Sequence, residues 1–159
     1  MTAEAHAKVQ ELVEDVRTCM LSTVDDHGVI VSRPMTTQEA EFDGVLWFVV
    51  AANTPAVQQI RARSQVNVAY AGSSSWVSVS GTAEVLEDRA KIRELWNPVV
   101  GAWFPEGPDD ADVALIRVDA DTAEYWDSPG GRVATVLSLV KAKVTGEPYD
   151  GGENETVEL

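Results

Sequence analysis

Cysteine and histidine are scarce: 159 residues hold one cysteine, Cys19, and two histidines, His6 and His27. One cysteine excludes an internal disulfide and an all-cysteine metal site. Two separated histidines leave little for a transition-metal site and make a Ser-His-Asp or Cys-His centre a poor reading. No metal site is expected. Positive charge is scarce too, with 12 Lys and Arg against 26 Asp and Glu and a formal charge of −14. A phosphate-backbone partner needs a basic patch, so no nucleic-acid partner is expected. No apolar run approaches the roughly 18 residues of a membrane span, and Met1 to Lys8 lacks the apolar core of a signal peptide. The expectation is a cytoplasmic protein with no membrane contact. Also missing are a Gly-x-Gly-x-x-Gly after a strand, a Walker A loop and Gly-x-Ser-x-Gly, so the usual nucleotide and esterase signatures are unsupported.

What is present suits one domain. The apolar fraction of 45% is ordinary for a globular core. Cys19 opens an apolar run and reads as a small buried hydrophobe rather than a nucleophile. The stretch from Cys19 to Val50 organises the chain. Three β-branched-rich runs, about Cys19–Val24, Val29–Met35 and Val45–Val50, are separated by turns at Asp25-Asp26-His27-Gly28 and Asp43-Gly44. That pattern predicts an antiparallel meander. The third run is apolar on both faces and is expected to be central. Pro34 lacks an N–H, so it marks an edge, a bulge or a strand end.

Before the meander, Val9, Leu12, Val13, Val16 and Met20 fall at helical spacing and predict an amphipathic helix. After it, Asn53-Thr54-Pro55 signals a helix start, with the helix running to about Arg63. Strands follow at Val66–Tyr70 and Trp76–Leu86, the latter with Gly81 as a bulge or bend. Asp88 caps a helix to about Trp96, and an irregular aromatic-rich connection spans Pro98 to Pro108. Strands at Val113–Val118 and Thr122–Trp126, then a helix on Val133, Val136, Leu137, Val140 and Val144, complete the expected elements. The predicted class is mainly β (α+β): a six- to seven-stranded antiparallel split β-barrel with peripheral helices. Residues 1–146 are expected to form that domain, and the Gly- and Glu-rich residues 147–159 a disordered acidic tail.

One constellation has ligand chemistry. Arg33 lies on a strand beside Pro34. Asn53 and Thr54 open a helix whose free N–H groups favour an anion. Trp47, Trp76 and Trp126 offer planar surfaces. A planar ligand with a phosphate tail, such as a flavin nucleotide, suits this set. Strand tryptophans are nevertheless mostly core residues, and a strand arginine is mostly a surface or ion-pair residue.

At these residues the chain resembles a known family. Met-Leu-Ser-Thr-Val-Asp-Asp-His-Gly, Val-Ser-Arg-Pro-Met, Leu-Trp-Phe-Val-Val and Gln-Val-Asn-Val-Ala-Tyr, followed by Trp-Val-Ser-Val-Ser-Gly-Thr-Ala-Glu-Val, Ala-Trp-Phe-Pro-Glu-Gly-Pro-Asp-Asp and Glu-Tyr-Trp-Asp, look like the pyridoxamine 5'-phosphate oxidase-like FMN-binding split barrels. The nearest likeness is to their general stress protein branch. The resemblance implies a homodimer with FMN in clefts at the subunit interface. It would place Arg33, Pro34 and Met35 at the isoalloxazine, with Phe48, Val49 and Val50 beside it. Asn53 and Thr54 would approach the phosphate or ribityl chain, and Trp126 would arrive from the second subunit.

The implied function is an FMN-binding oxidoreductase moving electrons between a reduced nicotinamide or small reductant and an unknown acceptor. No catalytic residue stands out. The alternatives are a non-catalytic flavin carrier or sensor in a stress response, or a barrel that uses a deazaflavin; haem is weaker, with only His6 and His27 as ligands. One position departs from the family pattern, which carries a Lys where this chain has Ala56. The missing charge-assisted contact is worth roughly 1.5–3 kcal/mol, about ten- to a hundredfold in affinity, unless Arg33, Arg61 or Arg63 compensates.

Overall fold

A computed structural model describes residues 3–38, 42–128, 143, 145–146 and 153–159. The chain opens with α1 (Ala3–Val13), which buries Ala5 and Val9. Leu12, Val13 and Val16 pack on the same core, while Met20 lies beyond the helix on the first strand and is 40% exposed.

β1 (Thr18–Val24) and β2 (Ile30–Thr36) form an antiparallel hairpin. Its turn is closed by Asp25, whose Oδ1 accepts the backbone N–H groups of His27 and Val29 at 2.9 and 2.8 Å. Gly28 takes φ +79° there, which only glycine adopts without strain. β3 (Val45–Ala51) does not continue a meander. β4 and β5 are Gln65–Ala71 and Ser75–Leu86. β3 pairs antiparallel with β6 (Val113–Asp127) and ends the strand path, β2-β1-β4-β5-β6-β3, rather than being central. No pairing joins β2 to β3 among the described residues, so the barrel is split along that seam.

β3 is apolar on both faces because each face is covered. Phe48 and Val50 enter the main core with Leu21, Val68, Val79, Ile116 and Val118. Trp47 and Val49 pack on a second cluster around Ile92, Val113 and Leu115. That cluster takes Ile92 and Leu95 from α3 (Arg89–Leu95), capped by Asp88, and Trp96 and Phe104 from either side of α4 (Pro98–Trp103), capped by Asn97. The aromatic connection expected to be irregular therefore contains a short helix, started by Asn97 and by Pro98 in its first turn.

α2 (Pro55–Ala62) crosses between β3 and β4 and buries Ala56, Val57 and Ile60. Its cap is Thr54, whose hydroxyl oxygen accepts the Val57 N–H.

Two expected strands prove to be one. β6 runs through Asp119-Ala120-Asp121 without a turn because it takes up Asp121 as a bulge: Ser80 pairs with Thr122 and Gly81 with Ala120, which leaves Asp121 as the extra residue. A Cβ at Gly81 would lie 2.2 Å from the Asp119 carbonyl oxygen, so only glycine permits that approach.

The tail also departs from expectation. Residues 153–158 form β7 (Glu153–Glu158), which pairs with Thr122–Asp127 of β6, and Leu159 is buried. The Tyr125 hydroxyl donates to Glu155 at 3.0 Å; burial first and then that contact push the phenol up to about 12. Main-chain pairing and this side-chain tie hold a segment whose composition alone read as disordered. The helix expected on Val133–Val144 lies outside the described residues.

Candidate functional site

The split between β2 and β3 opens onto a cleft of about 710 Å³, within the range of about 300–1,000 Å³ usual for small-molecule sites. Arg33, Pro34 and Met35 form one wall and Val49 and Val50 the other. Thr54, Pro55 and Ala56 close one end with the start of α2. α4 and the residue after it supply Val99, Val100, Trp103 and Phe104.

Six of the nine residues proposed from sequence therefore meet here: Arg33, Pro34, Met35, Val49, Val50 and Thr54. The other three lie elsewhere. Phe48 alternates with Val49 along β3 and points into the core, where it is 2% exposed. Asn53 is exposed, one residue before the cap, and does not line the cleft. Trp126 sits on β6 opposite Trp76.

Local structure explains how Arg33 is held. β2 points Val31, Arg33 and Met35 inward by strand alternation. The Arg33 Nη1 donates to Thr23 Oγ1 at 2.7 Å and to the Leu21 carbonyl at 3.3 Å, and Nη2 donates to Gln59 Oε1 at 3.0 Å. Thr23 in turn donates to the same Gln59 oxygen at 2.6 Å. Thr23 is 1% exposed, so this network satisfies a buried hydroxyl. Burial lowers the proton affinity of the guanidinium from its ordinary value, yet arginine retains its charge in proteins. Three of its five N–H donors are committed to the fold, and the fork stays beside the cleft.

The electrostatics are simple. In a chain of charge −14, no carboxylate lines the cleft among the described residues, and Arg33 is the lone cation there. Arg63 is turned away, its Nη1 bound to the Asp25 carbonyl. The backbone N–H groups at the start of α2 add partial positive charge at one end. Most of the remaining surface is aliphatic or aromatic. The site suits a planar, largely apolar ligand carrying negative charge at one end. Among the described residues no His, Cys, Tyr, Asp or Glu lines it, so none of their side chains is placed as an acid or base. No group of described residues could hold a metal ion.

Sequence reasoning missed the α4 wall. Trp103 and Phe104 stand out in the sequence as apolar residues needing cover, but nothing local tells that the helix starting at Pro98 brings them to β2 and β3. Trp103 is 75% exposed and Val99 53% exposed at the cleft mouth.

The family model Pyridoxamine 5'-phosphate oxidase like matches residues 4–150. Protein bli-3 of Neurospora crassa is 31% identical over 141 residues, which cover 81% of this chain and 68% of that protein. A crystal structure of a general stress protein 26 from Jannaschia sp. CCS1 superposes with a TM-score of 0.80 at 27% identity, covering 99% of this chain and 100% of that one. The general stress FMN/FAD binding protein of Xanthomonas citri superposes with a TM-score of 0.68 at 31% identity, covering 79% of this chain and 90% of that one.

Proposed function

The chain belongs to the pyridoxamine 5'-phosphate oxidase-like family, and from that premise we propose that it binds FMN in the β2–β3 cleft and acts as a homodimeric, cytoplasmic oxidoreductase. The observation that carries this reading is the convergence of Arg33-Pro34-Met35, Val49-Val50 and the start of α2 on one cleft that no acidic side chain among the described residues lines. The similarity to a protein described as FMN/FAD binding supports it.

The chain's own residues suit the parts of the cofactor. Pro34, Met35, Val50, Trp103 and Phe104 give apolar surface for the ring. Thr54, Pro55 and Ala56 bring the helix start toward the phosphate, and Arg33 supplies charge. Bound FMN would supply the hydride-accepting ring. The protein would orient that ring, shield it from water and leave one face open to a reduced nicotinamide or small reductant.

A second copy is part of the reading. Met20, Trp76 and Trp126 are 40%, 46% and 41% exposed. By register they share one outer face: Met20 pairs with Ala69, and Ala71 with Trp76, which pairs with Trp126. An exposed face of this kind fits a subunit contact. Trp126, absent from the cleft of its own chain, would reach a flavin only from a neighbouring copy.

The absence of an acid or base from the described cleft lining favours a second reading, a flavin carrier or sensor. Anaerobic addition of NADH or NADPH to the FMN-loaded protein separates the two. Bleaching of the flavin band followed by turnover with an acceptor supports the oxidoreductase. A band that survives both nicotinamides and a small reductant contradicts it.

A further inference from the structure

Arg33 is held by oxygens that carry no formal charge: the Leu21 carbonyl, the Thr23 hydroxyl and the Gln59 side-chain carbonyl. Other cations of the fold are matched differently. Lys8, Lys91, Arg93 and Arg117 each meet a carboxylate, in a chain with 26 Asp and Glu. Arg33 is half-buried beside the cleft, and among the described residues no carboxylate pairs with it. Burial lowers its proton affinity, and no neighbouring acid offsets that. A charge drawn from water is normally matched by an opposite one.

The ring of bonds fixes what Gln59 presents. Arg33 Nη1 donates to Thr23 Oγ1 at 2.7 Å, so the Thr23 proton goes on to Gln59 at 2.6 Å. Arg33 Nη2 donates to the same Gln59 atom at 3.0 Å. Two donors converge on that atom, which makes it the amide oxygen. A glutamate could accept the same two bonds but would cancel the charge of the guanidinium. Gln59 also sets where that charge stands. It lies one turn beyond Pro55 on α2, and helix side chains lean toward the N-terminus. Arg33 is thereby drawn to the half of α2 that closes the cleft, where the free N–H groups of the helix start favour an anion as well.

We propose that Gln59 is a positioning residue: it anchors Arg33 through a neutral acceptor, so that the guanidinium keeps its charge for the anionic end of the ligand. In the flavin reading, on which this rests, that end is the FMN phosphate.

The test compares wild type, Gln59→Glu and Gln58→Glu, each titrated with FMN and with riboflavin, which lacks the phosphate. Gln59→Glu keeps both acceptor bonds and gives Arg33 a counter-ion, so it should fold and melt at or above the wild-type temperature. Gln58 is exposed at the preceding position of α2 and takes no part in the ring of bonds, so Gln58→Glu adds the same charge without touching Arg33. Gln59→Glu should weaken FMN about tenfold or more and leave riboflavin within about threefold. Gln58→Glu should shift FMN by no more than about threefold, since an exposed charge is screened. Equal shifts for the two flavins, equal effects of the two variants, no shift at all, or a melting temperature well below wild type in Gln59→Glu would overturn the role of Gln59 while leaving the flavin reading in place. A wild type that binds neither flavin would overturn both.

Discussion

Arg33 on β2 reaches α2, where its Nη2 donates to Gln59 Oε1 at 3.0 Å. The cleft's cation is thereby fixed to the helix whose start closes the same cleft. Lysine has one point charge and cannot span Thr23, Leu21 and Gln59 with a planar fork. Arg33→Lys should lower folding stability by about 1–3 kcal/mol, since Thr23 and Gln59 lose a charged partner. Urea unfolding measures that loss, and FMN affinity should fall with it. Unchanged stability would show that the network does not brace the cleft.

Ala56 is 8% exposed and lines the cleft at the first turn of α2. Placing a cation there supplies what the family pattern has and this chain lacks. Ala56→Lys should tighten FMN about ten- to a hundredfold and leave riboflavin, which has no phosphate, little changed. Comparing the two ligands by calorimetry separates a phosphate contact from a general change in the cleft. Equal gains for both would place the phosphate elsewhere.

Trp103 stands 75% exposed at the cleft mouth. A side chain so open contributes little to folding, so Trp103→Ala should change stability by no more than about 0.5 kcal/mol. An aromatic contact with a bound ring is worth about 0.5–1.5 kcal/mol, so FMN affinity should drop roughly two- to tenfold. Paired thermal melts and FMN titrations check both halves of that statement.

Cys19 is 1% exposed, and its thiol lies 3.7 Å from the Met35 carbonyl oxygen. Burial pushes the thiol up to about 12. The unfolded thiol ionises near 8.5. Between those values the unfolded chain sheds a proton that the folded chain keeps. The contribution of this group to stability is therefore fully present below about pH 8.5 and is lost as pH rises toward about 12. Cys19→Ala should flatten that part of the stability profile. A disulfide reagent at pH 8 should leave the native thiol unmodified and react once the chain is unfolded.

Local chemistry made much of this legible. Asp25 and Gly28 mark their turn by residue type, and Thr54-Pro55 marks a helix start by capping. Arg33-Pro34-Met35 is visible as an odd strand end. The pairing of β3 was not legible, because an apolar run reports that both faces are covered and not what covers them; here α3, with Trp96 and Phe104, covers one face. Asp119-Ala120-Asp121 looks like a turn, and only the bulge at Asp121, opposite Gly81 on another strand, explains why β6 continues. β7 carries little apolar signal because backbone pairing and the Tyr125–Glu155 contact hold it. The α4 wall depends on where a loop places a helix, which no local pattern encodes.

FMN binding in the β2–β3 cleft is checked by titrating the apo-protein into FMN and following flavin fluorescence, with Arg33→Lys and Trp103→Ala run beside the wild type. The wild type should show saturable quenching by about tens of micromolar, with saturation shifted to higher concentration in both variants. No saturable quenching over that range, or identical curves for all three proteins, would contradict it.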